Sequence, residues 1–566
     1  MNIPRPEHPN PQWRREAWQN LNGTWEFGFD NQFGREITVP FCPESALSGI
    51  GHTDFMFEVW YRRRVEITPA QLRGRVALHF GAADYLATVW VNGSETGTHE
   101  GGYTPFRFDI TGQLRPGENE ITLRCEDDNR DPLVCAGKQS WRRESFGCNY
   151  TRTTGIWQTV WLEFLPRAYI QSAVYQPDPE NACLHLRAKV EGPGVLHVKA
   201  LWEGREVGSA SARVSGNAVR LTLPLREIHL WEVGQGGLYD LELTFGEDTV
   251  HSYFGLRSLR LEGHKFLINE RSVFQRLVLD QGFYPDGIYT APSAQALEND
   301  VILSMAAGFN GARLHEKVFE PLFLYYCDKH GYLAWGEFPN WAASRHRRNN
   351  DSMPELLHKF LPQWCQALER DRNHPAIVGW CSFNETHENQ FAETLRAVYE
   401  TTKRLDPDRP CIDTSGYVHV ATDIFCAHDY EQDPGRFAAH YADFDEGFYQ
   451  SKRGCGYRPG QPMFVSEYGG IGWNTGGGSY PNELASSPGT PAWGYGQGPK
   501  SEAEFMARYE ALTDVLLDHP RMFGFCYTQL TDVEQERNGV YTYGREAKFD
   551  PAFFHRVNSR KAAIED

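Results

Sequence analysis

Two short apolar runs each carry a glutamate just ahead of turn-forming residues. One is Gly379-Trp380-Cys381-Ser382-Phe383-Asn384-Glu385, the other Phe464-Val465-Ser466-Glu467-Tyr468-Gly469-Gly470. Apolar runs of this length bounded by turns read as strands buried on both faces. A carboxylate at the C-terminal end of such a strand sits where parallel α/β barrels hold their chemistry. A lone strand-end glutamate is usually a solvated ion-pair partner. A pair suggests an acid/base and a nucleophile facing one bond. Glycosidic cleavage needs that pair: one carboxylic acid to protonate the leaving oxygen, and a second carboxylate about 5 Å away to attack the anomeric carbon. Asn384, next to Glu385, would place an amide near the hydroxyl beside the reacting carbon, a hydrogen bond that strengthens in the transition state.

The elements that must hold these residues can be read from the hydrophobic period. After about residue 263, strand-like runs at 275–281, 309–315, 332–338, 377–385, 411–416, 423–430, 463–469 and 522–530 alternate with helical patterns. Ser293 can cap a helix with Leu297, Val301 and Met305 on one face and Gly308 at its end. Ser501 and Glu504 form a capping box ahead of the stripe Phe505, Tyr509, Leu512 and Leu516. Eight such units predict a (β/α)8 barrel, with Glu385 on the fourth strand and Glu467 on the seventh, across the mouth from each other. An open doubly wound sheet would have fewer strands and a glycine-rich phosphate loop, and no such loop is present. Asp280, His315 and Glu337 end the first three strands and are candidates for sugar hydroxyls. Trp473, after the Glu467 loop, is a candidate stacking surface, and Tyr527 lies on the eighth strand.

Upstream the period is two. Val76, Leu78 and Phe80 alternate with polar residues, as do Ala87, Val89 and Val91 before an Asn92-Gly93 turn. This predicts a jelly-roll-like β-sandwich over 1–166. Leu184 and Leu186, then Val219, Leu221 and Leu223, then Leu241, Leu243 and Phe245 predict a smaller immunoglobulin-like sandwich over 167–262, leaving 263–566 for the barrel.

The chain has 566 residues and a formal net charge of -18, which argues against nucleic acid or an anionic membrane as partner. The basic runs Arg62-Arg63-Arg64 and Arg345-His346-Arg347-Arg348 read as solvated faces. No apolar run is long enough to span a bilayer. Met1 to Pro6 lack an apolar leader core, and the 12 cysteines contain no Cys-x-x-Cys pair. Cys381, Cys426 and Cys526 fall in buried strands, so a cytoplasmic protein with reduced thiols is expected. There is no Gly-x-Ser-x-Gly elbow. His315-Glu316 and His387-Glu388 lack the second histidine of a zinc-hydrolase helix. No metal or cofactor is expected.

The chain resembles glycoside hydrolase family 2. Leu21-Asn22-Gly23-Thr24-Trp25-Glu26-Phe27 is similar to the family's opening strand, and Tyr150-Thr151-Arg152-Thr153-Thr154-Gly155-Ile156-Trp157-Gln158 to the signature closing its sugar-binding domain. Phe254-Gly255-Leu256-Arg257 resembles the barrel entry, and Phe309-Asn310-Gly311-Ala312-Arg313-Leu314-His315 the second barrel strand. The resemblance implies that Glu385 is the acid/base and Glu467 the nucleophile, and that Tyr430, in His428-Asp429-Tyr430, hydrogen-bonds the nucleophile. The family's β-glucuronidases carry an Asn-x-Lys pair after the nucleophile that grips the sugar carboxylate. None follows Glu467, so a basic partner for a uronic acid is not evident. The second strand continues Leu314-His315-Glu316-Lys317 in place of the family's Ser-His-Tyr-Pro. The expected activity is that of a retaining exo-β-glycosidase, β-galactosidase-like, with the two sandwiches walling the pocket and offering a homodimer contact. The alternatives are a β-glucuronidase or other β-glycosidase, or a catalytically silent carbohydrate-binding protein.

Overall fold

The computed structural model describes residues 3–341, 354–386, 391–442, 455–473 and 492–565. The basic run Arg345 to Arg348 and the pair His387-Glu388 lie outside the described residues. The second half of the chain forms a ring of eight parallel strands. They are Gln275–Asp280, Gly311–Leu314, Leu333–Glu337, Ile377–Asn384, Cys411–Ser415, Phe425–Asp429, Met463–Gly469 and Met522–Thr528. Each lies within one of the runs read from the sequence. Neighbours pair in order, and the eighth strand returns to the first. The fifth and sixth strands face each other at a seam without a backbone ladder, and there Ser415 Oγ meets His428 Nε2 at 2.8 Å. All eight strands are buried along their whole length, as expected when helices cover the outer face and side chains fill the interior.

The expected helix caps are made. Ser293 accepts from the Ala296 N–H at the start of Ala294–Ala306, and Ser501 accepts from the Glu504 N–H at the start of Glu502–Leu517. Each uses a side-chain oxygen to satisfy an orphan first-turn donor. Gly308, with φ +80, follows the first of these helices in a conformation glycine adopts without strain. The stripe Phe505, Tyr509, Leu512 and Leu516 is buried.

Tryptophans and glycines pair across the third and fourth strands. Trp335 lies beside Gly379, and Gly336 beside Trp380. Trp335 fills the barrel interior, stacking on Phe464 at 6.1 Å and donating to Gln275 Oε1. Trp380 fills the helix layer, edge-on to Trp364 and donating to Asp406 Oδ2. A Cβ on either glycine would overlap its partner's ring, so the two large rings are accommodated only because the facing positions carry no side chain.

The first sandwich consists of a six-stranded and a four-stranded sheet with a two-stranded ladder beside them, and the second of four- and three-stranded sheets. Arg62 pairs with Glu26 on a partly exposed sheet face, in keeping with a solvated basic run. Arg15 ties the two sandwiches, reaching Asp248 at 2.8 Å, Glu163 at 3.4 Å and the Ile170 carbonyl at 2.6 Å. The second sandwich holds the barrel through Arg257, which donates to the carbonyls of Pro375 and Ile377. The first docks against the mouth: Tyr103, Tyr150 and Trp157 belong to the same apolar cluster as the barrel core. We propose domain limits near 166/167 and 262/263. The second limit falls in a turn between Leu259–Glu262 and Lys265–Ile268, a hairpin whose Phe266 packs on Trp335 and Phe523 at the barrel floor. Among the described residues no helix is long and apolar enough to cross a membrane. Cys381, Cys426 and Cys526 are buried and unpaired.

The Gly379–Trp335 fit predicts that Gly379→Ala overpacks the barrel and costs ~1–3 kcal/mol, seen as a fall in Tm. Gly112→Ala, where an added Cβ meets nothing within 4 Å, should leave Tm unchanged. Equal Tm values for the two variants would remove this account of the core.

Candidate active site

Glu385 is the first residue after the fourth strand. Its φ is +52, a left-handed conformation uncommon for a residue with a Cβ and concentrated at functional sites. Its N–H donates to the Ser415 carbonyl at 2.8 Å, so the strand is turned sharply where the carboxylate leaves it. Glu467 lies inside the seventh strand, Met463–Gly469. One oxygen of each carboxylate and one nitrogen of His428 lie within 4.8 Å of one another. His428 Nδ1 is 3.0 Å from Glu385 Oε1 and 3.3 Å from Glu467 Oε2.

Glu467 is held from three directions. Tyr430 donates its phenol to Oε2 at 2.5 Å. Arg313 Nη1 reaches Oε1 at 3.0 Å, and His428 approaches from the sixth strand. Tyr430 is itself fixed by stacking on Tyr495, ring centroids 3.5 Å apart, and by Thr528 Oγ1 at 3.1 Å. Burial alone would raise the Glu467 carboxyl. The charges of His428, Arg313 and His315 outweigh it and hold the group below its ordinary value of 4.5.

Arg313, on the second strand, is 1% exposed at its side chain. Besides Glu467 it donates to Glu337 Oε1 at 2.6 Å, the Ser466 carbonyl at 2.6 Å and Asn384 Oδ1 at 3.2 Å. Glu337 also accepts from the Glu316 N–H at 3.1 Å and lies 3.2 Å from His315 Nδ1. Burial would raise the Glu337 carboxyl, but Arg313 and His315 bring it down to about 2. Glu337 and His315 therefore answer each other and Arg313. Asn384 differs. Its oxygen is used by Arg313, while its Nδ2 is buried with no partner among the described residues, which suits an amide waiting for a sugar hydroxyl.

Three expected residues are not brought to the pair. Tyr527 packs on Tyr468 and on Tyr509 of the helix Glu502–Leu517. Side chains alternate along a strand, so Thr528 faces Tyr430 and its neighbour Tyr527 must face the helix layer. Trp473 packs on Phe505 and Phe549 in that same layer. Asp280 accepts from the Gly282 N–H and sits among Asp300, Arg545 and Lys317. Burial and Asp300 push its carboxyl up to about 7.

Sequence reasoning passed over Arg313, His428 and Lys138. The first was visible as an arginine inside an apolar run, the second as the residue two before Tyr430. Lys138 comes from the first sandwich, its ammonium 3.8 Å from the centre of the Trp341 ring, and nothing local marks it. Glu385, His428 and Glu467 are spaced as a metal site could be. However, Arg313 and Tyr430 already occupy both Glu467 oxygens, and a cation there would be repelled by the guanidinium 3.0 Å away. Asp178, Cys183 and His185, on the second sandwich, form the other close group of metal-type donors among the described residues.

Comparison with known proteins agrees with the fold. A family model described as "Glycosyl hydrolases family 2, TIM barrel domain" matches residues 259–488. Another, "Glycosyl hydrolase 2 galactose-binding domain-like", matches 48–156. The β-glucuronidase of Paenibacillus borealis is 24% identical over 94% of this chain and 95% of its own. The β-galactosidase of Thermoanaerobacter pseudethanolicus is 24% identical over 69% of this chain and 53% of its own. The solved structure of a β-D-glucuronidase of Dictyoglomus thermophilum superposes with a TM-score of 0.80 at 20% identity, covering 98% of both chains.

Removing one partner of a buried charge pair typically costs ~3–5 kcal/mol. Arg313→Met and Glu337→Gln should each lower Tm accordingly at pH 7. The double variant should lose less than the sum, because neither charge is then left unpaired. The sign with pH follows from Glu337, ordinarily at 4.5 and held near 2 in the fold. Its stabilisation is complete above 4.5 and drains away as pH falls toward 2. Strict additivity in the double variant would show that the pair is not coupled.

Proposed function

Because the chain belongs to glycoside hydrolase family 2, we propose that it is a retaining β-glycosidase in which Glu467 is the nucleophile and Glu385 the acid/base. The observation that carries this reading is the approach of the two carboxylates to within 4.8 Å. Retaining enzymes hold theirs about 5–5.5 Å apart, whereas inverting enzymes leave about 6.5–9.5 Å for a water.

In the first step a Glu467 oxygen bonds to the anomeric carbon as the glycosidic C–O bond breaks, and Glu385 gives its proton to the leaving oxygen. In the second, Glu385 as carboxylate takes a proton from water. The hydroxyl bonds to the anomeric carbon, and the ester to Glu467 breaks, returning both groups to their starting states. Arg313 and Tyr430 keep Glu467 ionised and oriented. The free Nδ2 of Asn384 is placed to bind the hydroxyl beside the reacting centre. The names of similar proteins favour a β-linked hexuronide over the β-galactoside expected from the sequence.

Glu385→Gln and Glu467→Gln should each lower turnover of a p-nitrophenyl β-glycoside by at least ~10²-fold. Proton NMR of the first product should show the β anomer, and an α anomer would mean inversion and end the double-displacement reading. The acid limb of kcat/KM should fall below pH 4.5, because the active form of Glu467 is the carboxylate and its pKa is lowered from 4.5. A limb well above that value would show that the surrounding charges do not act as described.

A further inference from the structure

Lys138 lies in a loop of the first sandwich that is pinned to the barrel mouth. The N–H groups of Ala136 and Gly137 both donate to the Trp341 carbonyl, at 2.7 and 2.9 Å. Gly137 has φ +57, and a Cβ there would meet the Glu316 carbonyl at 2.5 Å, so only glycine lets the loop come this close. The approach delivers the Lys138 ammonium to 3.8 Å from the centre of the Trp341 ring. That ring's indole N–H donates to the carbonyl of Asn384 at 3.2 Å, the residue before Glu385. Lys138 is therefore beside the reacting centre, although it belongs to another domain.

The residue is 6% exposed, and among the described residues no oxygen accepts from its Nζ. The nearby acids are already engaged: Glu536 by Tyr150 and Asn538, Glu467 by Arg313 and Tyr430. Burial would lower the ammonium's pKa, yet the combined field of Cys148, Glu536, Glu385 and Glu467 raises it, so the group stays charged. An ammonium has three N–H donors, and those of Lys138 are open to a group that enters the mouth. A ring face steadies the cation without consuming those donors.

We propose that Lys138 receives the carboxylate of a hexuronic acid bound where the glycosidic bond is cut, so that the first sandwich supplies the charge that selects the substrate. This rests on the glycosidase reading above and adds to it the residue that selects a hexuronide. The site is otherwise lined by glutamates that would repel an acidic sugar, so a carboxylate needs a cation beside it, and Lys138 is the one without an oxygen partner among the described residues. The other cations near it are spent: Arg313 on Glu337 and Glu467, and Lys317 on the carbonyls of Gly282 and Tyr289. The absence of an Asn-x-Lys pair after Glu467 then leaves the role open for a lysine from elsewhere in the chain.

The test compares wild type and Lys138→Met on p-nitrophenyl β-D-glucuronide and β-D-galacturonide and on the corresponding glucoside and galactoside. Wild type should prefer uronides. Lys138→Met should lose at least ~10²-fold in kcat/KM on them, mostly through KM, while its uronide-to-neutral ratio collapses and the acid limb stays in place. An equal loss on both classes with a displaced acid limb would make Lys138 a positioning charge for the glutamates and overturn the proposal. Wild-type cleavage of neutral glycosides alone would overturn it too while leaving the glycosidase reading intact, and cleavage of none would remove that reading first. If Lys138→Met does not fold, product inhibition of the wild type decides: D-glucuronate should inhibit at least tenfold more tightly than D-glucose, and equal inhibition counts against the proposal.

Discussion

The barrel mouth is organised around a buried guanidinium. Arg313 is removed from water at a desolvation cost that only close, well-made pairs can offset. It meets Glu337 on the third strand, Glu467 on the seventh and the Asn384 amide oxygen on the fourth. Its planar fork holds several acceptors in a fixed geometry, where a lysine offers rotatable donors from a single nitrogen. Three strand ends are thereby tied to the second, and each carboxylate is spared the penalty of sitting uncompensated in the interior. Asn384 gains a fixed orientation in the same contact: its oxygen is held, and its Nδ2 has no partner among the described residues.

That arrangement also separates the roles of the two glutamates. Glu467 is embedded in its strand and surrounded by donors from the second and sixth strands and by Tyr430, a setting that favours a persistent anion. Glu385 stands past the end of its strand on a left-handed turn, with His428 between it and Glu467. The imidazole is 2.8 Å from Ser415 on its far side, so the seam of the barrel and the carboxylate pair share one side chain. The first sandwich completes the mouth. Trp341 takes two N–H bonds from the 136–137 loop on its carbonyl and the Lys138 ammonium on its ring, and gives its indole N–H to Asn384.

Much of this was legible in the chain itself. The eight buried runs, the helix caps at Ser293 and Ser501, the alternation of the two sandwiches, the two glutamates and the link from Tyr430 to Glu467 all rest on patterns within a few residues or on short motifs. Tyr527 and Trp473 lie near strand ends in the sequence, but the pleat turns the first toward the helix layer and packing on Phe505 and Phe549 takes the second. His428 and Glu467 lie beside register shifts in the sixth and seventh strands, where simple alternation stops predicting which face a side chain takes.

The sequence by itself determined the class of fold and marked the two glutamates that meet at the barrel mouth, because strand period, capping and a carboxylate at a strand end are local properties. Only the tertiary structure decided which groups surround that pair. Arg313 meets Glu467 and Lys138 meets Trp341 because a nearly closed ring of strands and a docked sandwich bring distant segments together. No local pattern after Glu467 marks an ammonium held 3.8 Å above a tryptophan ring by a loop from another domain. Charge in a folded protein acts through space, and adjacency in the chain carries no record of it.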